Sequence, residues 1–255
     1  KLLVDGHASL NVLRRFFRML PSPPRCKECS SPFHGPGGVV ARRFGFRPST
    51  MNPNFCNYCV SSMPIGGIET DVAVMFADVR GSTEMAERMG ATEFRHQLNR
   101  FYNTATGVLL QHDALIDKLI GDEVMALFIP GFAGKNYRRR AVQAGEHLLR
   151  AVGNAPGERA WLDIGVGIHA GPAFVGNVGG EGITDFTALG DTVNTASRLQ
   201  ALAQPGQLVM SEEAYASVHD LHPQLEAQTF DLRGKGESVT ARVLTLAQPA
   251  DAPAA

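Results

Sequence analysis

Apolar residues recur along the chain with two different periods. Leu10, Leu13, Phe16, Phe17 and Leu20 fall three and four positions apart, the stripe of an amphipathic helix within residues 2–20 that Pro21, Pro23 and Pro24 terminate. Asp71 to Ala77 is a short, nearly continuous apolar run that reads as a buried strand, and it passes through Asp78-Val79-Arg80-Gly81-Ser82-Thr83 into a helix start. Phe94, Leu98, Phe101, Ala105, Val108 and Leu109 mark one long helix. Residues 113–120 and 123–128 read as strands joined at Gly121-Asp122, a pair suited to a two-residue hairpin turn. Tyr137, Ala141, Ala144 and Leu148 mark a helix from about 137 to 152. Beyond it the pattern predicts two separate strands at 161–169 and 173–178, a helix opening at Asp191, and strands near Leu208, Phe230 and Val243. Strands linked partly by helices and partly by a hairpin predict an α+β fold whose sheet is covered on one face.

Residues 25–63 break this pattern. They are rich in Cys, Gly, Pro, Arg and Asn and too poor in aliphatic residues to build a core, so the chain divides into an N-terminal helix (1–21), a cysteine segment (22–64), one large domain (65–246) and a Pro- and Ala-rich tail (247–255). A formal net charge of -1 argues against a basic nucleic-acid binder. The longest apolar runs, Val72 to Ala77 and Met125 to Ile129, fall far short of the ~20 residues of a membrane-spanning helix. Asp5, Arg14, Arg15 and Arg18 interrupt any signal-peptide core, so the expected location is cytoplasmic.

All four cysteines precede residue 60, as Cys26-x-x-Cys29 and Cys56-x-x-Cys59. Two such pairs have the spacing of a tetrahedral four-thiolate site, and metal binding supplies the folding free energy that a coreless segment lacks. Zn²⁺ is the first expectation, with a hairpin between the pairs and a short helix at 57–63; an iron-sulfur cluster also takes four thiolates. Zinc would make the segment a rigid spacer, a cluster a redox sensor.

Two carboxylates carry the chemistry of the large domain. Asp78 ends a strand and Asp122 sits at a hairpin tip, so adjacent pairing of these strands would bring two like charges together and call for a cation, with Mg²⁺ suited to oxygen ligands and phosphoryl chemistry. Gly81-Ser82-Thr83 opens the following helix, where free amides make a phosphate seat. In the helix from Asp191, Asn194 and Arg198 lie four apart, opposite the apolar Val193, Ala196 and Leu199. An amide and a permanent cation on one face suit a ribose and a developing phosphorane charge.

The segments Phe76 to Thr83, Lys118-Leu119-Ile120-Gly121-Asp122 and Gly190 to Arg198, taken in order, resemble the class III nucleotidyl cyclase catalytic domain over about residues 65–246. The resemblance implies a ferredoxin-like palm sheet covered by helices and a site formed between two catalytic domains, hence a homodimer with two shared sites. It implies two Mg²⁺ or Mn²⁺ ions on Asp78, Asp122 and the Val79 carbonyl, serving attack of the ribose 3′-hydroxyl on the α-phosphate and departure of pyrophosphate. Asn194 and Arg198 of the partner chain would act on the ribose and the transition-state charge, and Lys235, ahead of Arg233, would contact the triphosphate. Lys118 is donor-only and suits the acceptor N1 of adenine, while Thr187, where many members carry Asp, accepts from the adenine amino group. ATP is therefore the expected substrate and the chain an adenylyl cyclase; a guanylyl cyclase and a silent ATP-binding regulatory subunit are the alternatives.

Overall fold

The computed structural model describes residues 11–20, 24–49, 55–61, 66–154, 160–180, 183–231 and 238–246. The apolar runs assemble into one eight-stranded sheet of β1 (Gly66–Val79), β2 (Leu115–Ile120), β3 (Glu123–Phe128), β4 (Ile164–Gly180), β5 (Ile183–Leu189), β6 (Gln207–Ser211), β7 (Ala227–Asp231) and β8 (Ser238–Thr245). Its lateral order is β2-β3-β1-β4-β6-β8-β7, with β5 paired to the far half of β4. β4 and β6 run parallel and the other pairs antiparallel. Mixed helices and sheet in this arrangement are the α+β class the sequence predicts.

Alternation along β1 assigns its residues to two faces. Ala73, Met75, Ala77 and Val79 are buried against Phe101, Ala105 and Leu109 of α4 (Ser82–Gln111) and Ala141, Ala144 and Leu148 of α6 (Tyr137–Ala151). Gly90, at φ 74° and ψ 162°, breaks α4 in two, and the helix's buried residues all follow the break.

The opposite face is covered as well, contrary to the one-face expectation. Val72, Val74 and Phe76, with Leu115, Met125 and Leu127, share one apolar cluster with Phe17, Phe33, Phe55 and all four cysteines. Phe17 comes from α1 (Asn11–Met19), is 1% exposed, and sets its ring edge-on to Phe46 at 4.9 Å. Phe55 meets Phe132 of α5 (Pro130–Ala133) at 5.1 Å. The cysteine segment thus lacks a core of its own but inserts aromatic rings into the sheet's second core, each buried Phe contributing about 1.5–3 kcal/mol. Lys27, inside the first cysteine pair, adds an ion pair to Asp113, which Arg140 of α6 also meets. Pairs this exposed contribute about 1 kcal/mol or less, so the rings dominate the docking. Arg25 fastens α1 to the segment by donating to the carbonyls of Phe17 (2.6 Å), Leu20 and Ser30 (3.2 Å).

Two further expectations change here. The stretch between the cysteine pairs is not a hairpin but a helix, α2 (Gly35–Arg43), with Pro36 in its first turn and Gly38 packed so tightly on Phe33 that a Cβ would lie 2.6 Å from its carbonyl carbon. The short helix expected at 57–63 is present as α3 (Asn57–Ser61), with residues 62 and 63 outside the described residues. β2 starts at Leu115 because Asp113 takes a left-handed turn conformation, φ 61°.

The two strands expected at 161–169 and 173–178 are the single strand β4. Pro172 does not interrupt it, for a reason of register. β6 pairs with Gly165 to Ile168 and β5 with Phe174 onward, so the edge between them has no strand partner. There the Pro172 carbonyl accepts from Thr192 Oγ1 at 2.6 Å, which shows that the missing N–H also points into this gap and breaks no ladder bond. Residues 1–10, residues 232–237 with the expected triphosphate contacts Arg233 and Lys235, and residues 247–255 lie outside the described residues.

Candidate active site

β1 delivers Asp78 to the end of the cysteine-covered face, two residues beyond Phe76 and about 7 Å further along the strand. Its cross-strand partner is Glu123, and the Val79 amide donates to the Asp122 carbonyl at 3.3 Å, so the strand end and the hairpin tip come together as pairing predicts. The turn depends on Gly121 at φ 61°. Burial first, then the charge of Asp122, pushes Asp78 up to about 6, with Arg80 opposing at 3.9 Å. Burial, Asp78 and Asp122 likewise raise Glu123. Two carboxyl groups that resist ionisation, set beside the Asp122 carboxylate, form a site whose natural complement is a cation.

The sign of this strain is testable. A carboxyl raised from 3.8 in the open chain to about 6 when folded contributes stability below pH 3.8 that is lost as pH rises through 6. Without added divalent cations, Asp78→Asn is therefore expected to melt above the wild type at pH 7.5. The gain is about 1 kcal/mol after solvent screening, or roughly 2–4 °C, and melting curves at pH 4.5 should show it fall to about a third.

Gly81, at φ 67°, caps α4 without a side-chain hydrogen bond, leaving the amides of the turn that holds Ser82 and Thr83 for solvent or an anion. Arg80 crosses to the last functional helix, α7 (Asp191–Leu202), donating to the Gln200 carbonyl. α7 lies directly on β4 because two glycines admit it. A Cβ on Gly167 would sit 2.1 Å from the Gln200 amide, and one on Gly165 would sit 2.6 Å from the Arg80 guanidinium. Ala196 and Leu199 are buried beneath α7, Asn194 is exposed, and Arg198 keeps a buried Nη1 with no hydrogen-bond partner. A guanidinium nitrogen already desolvated and unpaired is positioned to receive an anionic oxygen.

A second polar group forms farther back on the same face. Lys118 faces Met125, the partner of Phe76, and donates to Thr187 Oγ1 of β5 at 2.9 Å, to Asp117 at 3.2 Å and to Asp185 at 2.7 Å. Burial opposes its charge, but Asp185 and Asp117 outweigh that and raise it. The Thr187 hydroxyl donates to Asp117 Oδ2 at 2.7 Å. Among the described residues no hydrogen bond or ion pair joins this group to the Asp78 cluster. The sequence reading placed Lys118 and Thr187 together but missed Asp117, Asp185, Glu123 and Arg80. Asp117 hides in a β-bulge where the β2 register shifts, and no alternation pattern marks it.

The four cysteines are free thiols, all buried, with Sγ atoms within 4.8 Å of one another and Cys29 and Cys56 at 3.7 Å. Tetrahedral Zn–S bonds of about 2.3 Å place sulfurs roughly 3.8 Å apart, so one ion fits the centre. Backbone amides of Cys56 and Cys59 already donate to Cys26 and Cys56 sulfur at 3.3 and 3.4 Å. Mutual hydrogen bonding pushes Cys26 and Cys56 down and Cys29 and Cys59 up.

A sheet bearing an acidic strand end, a part-buried Lys-Thr-Asp group and a helix-borne guanidinium is the architecture of a nucleotide-processing domain. Residues 68–244 match the adenylate and guanylate cyclase catalytic domain, and the chain belongs to that family. It is 31% identical over 193 residues to an uncharacterized protein of Mycobacterium tuberculosis, a match covering 73% of this chain and 33% of that one. The chain spans about a third of the length of the curated relatives it matches first. Among solved structures it resembles the adenylyl cyclase CyaB from P. aeruginosa, at 28% identity and a TM-score of 0.60, over 71% of this chain and 96% of that one. It also resembles the guanylyl cyclase Cya2, at 25% identity and 0.62, over 73% and 98%. The cysteine pairs precede the matched segment. No helix among the described residues is long and apolar enough to cross a membrane.

Proposed function

We propose that the chain is an adenylyl cyclase that converts ATP to 3′,5′-cyclic AMP and pyrophosphate in sites shared by a homodimer. The observation that carries ATP over GTP is the Lys118–Thr187 contact. Lys118 offers only donors, which suits adenine N1, whereas guanine presents its own N–H there. Asp78 and Asp122, with the Val79 carbonyl, would hold two Mg²⁺ or Mn²⁺ ions, which when bound favour the ribose 3′-alkoxide and neutralise phosphate charge. The residues of the chain do the rest. The amides of Gly81, Ser82 and Thr83 receive the triphosphate, and Lys235 adds a cation to it. Asn194 orients the ribose, and the unpaired Arg198 Nη1 meets charge developing on the α-phosphate.

The four-cysteine segment is a structural or regulatory module holding Zn²⁺. A sulfur cage no wider than 4.8 Å suits a single ion better than a cluster with several irons between its thiolates. Purified protein given Mn²⁺ with ATP and GTP in parallel should make cyclic AMP in preference to cyclic GMP. Lys118→Glu with Thr187 changed to a donor residue should reverse the ratio. Retained ATP preference in that double variant would remove Lys118 from base recognition. Cyclic GMP as the main wild-type product would make the chain a guanylyl cyclase.

A further inference from the structure

Asp117 is the one acidic side chain of the Lys118–Thr187 group that is wholly screened from solvent, with 0% side-chain exposure against 53% for Asp185. A carboxylate there needs a reason, and its hydrogen bonds supply one. Oδ2 accepts from the Thr187 hydroxyl at 2.7 Å and Oδ1 from the Lys118 ammonium at 3.2 Å. A threonine hydroxyl has one proton and two lone pairs. Here the proton goes to Asp117 at 2.7 Å, much the shorter contact than the Ala188 carbonyl at 3.4 Å, and one lone pair goes to Lys118 at 2.9 Å. Only the second lone pair remains, so Thr187 meets a ligand as an acceptor and never as a donor.

We propose that Asp117 is a positioning residue that sets purine choice by holding Thr187 as an obligate acceptor. An adenine amino group donates to that lone pair. A guanine O6 would meet it lone pair to lone pair and leave a desolvated polar contact unmade, a mismatch worth far more discrimination than a missing methylene. Lys118 takes part without rearranging Asp117. Its third contact, Asp185, is half exposed and is the partner to be exchanged for a ring nitrogen. The inference deepens the adenylyl cyclase reading and rests on it.

The dimeric enzyme is assayed with Mn²⁺ and either ATP or GTP, and kcat/KM is compared. In Asp117→Asn the amide oxygen stays with Lys118 and the amide nitrogen turns to Thr187, freeing its proton. The ATP-to-GTP ratio should then fall by about tenfold or more, with the melting temperature held as a check on folding. In a Thr187→Val background the same substitution should change the ratio no further, because the group through which Asp117 acts is gone. If Asp117→Asn does not fold, Asp117→Ser, neutral and smaller, is measured in the same two backgrounds. An unchanged ratio in a folded variant, or an equal fall with and without Thr187, overturns the inference alone. Wild-type preference for GTP overturns the adenylyl cyclase reading and the inference with it.

Discussion

An equimolar mixture of Asp78→Ala and Arg198→Ala protein is expected to recover about a quarter of wild-type turnover, while each variant alone loses roughly 1,000-fold or more. The proportion follows from symmetry. Random re-pairing makes half the dimers mixed, and a mixed dimer has one site with both defects and one with neither. Neither substitution endangers the fold. Asp78 is a carboxyl that the folded state keeps partly protonated, and Arg198 has a buried nitrogen with no partner to lose. Cyclic AMP formation is followed while subunit exchange is confirmed by mass spectrometry of differently tagged chains. A mixture that exchanges and stays inactive would place Asp78 and Arg198 in the same chain's site.

The second large effect is expected at the other end of the molecule. Cys56→Ser removes one thiolate from a cage whose sulfurs lie within 4.8 Å of one another. Wild-type protein should carry one zinc per chain and the variant little, with a stability loss of about 3 kcal/mol or more. The loss would not stay local, because Cys56 shares a cluster with Val72, Val74 and Phe76 of β1, the strand that ends in Asp78. Activity should fall with metal content in the same samples. Equal zinc and an equal melting curve would show that the cysteines serve only as small apolar residues.

How much of this was legible in the sequence varies with the physical signal. β1 running into α4, the Gly121-Asp122 turn and the two faces of α7 are local matters of period and turn chemistry, and they fold as read. β4 reads as two strands, with Pro172 between them. Only the gap between β5 and β6 makes it harmless, and that gap is tertiary. The second core was invisible for a related reason. Phe17, Phe33 and Phe55 are far apart in the chain and follow no period, so nothing in their spacing announces a common surface. Within the candidate site, the residue types with direct roles could be picked out by motif. Asp117 could not, since its place comes from a bulge that sends an acid inward where alternation gives no warning.

The break at Gly90 divides α4 into pieces of unequal anchorage. The later piece is pinned to the sheet by Phe101, Ala105 and Leu109, but the two turns that begin at Gly81 reach the core only through half-buried Met85. Cooperative melting of the core and opening of these turns are therefore separate events, and the second needs far less free energy. The amides proposed to receive the triphosphate belong to the less firmly anchored piece. On that proposal, pyrophosphate would leave by a local fluctuation there while the sheet and both of its cores stay closed.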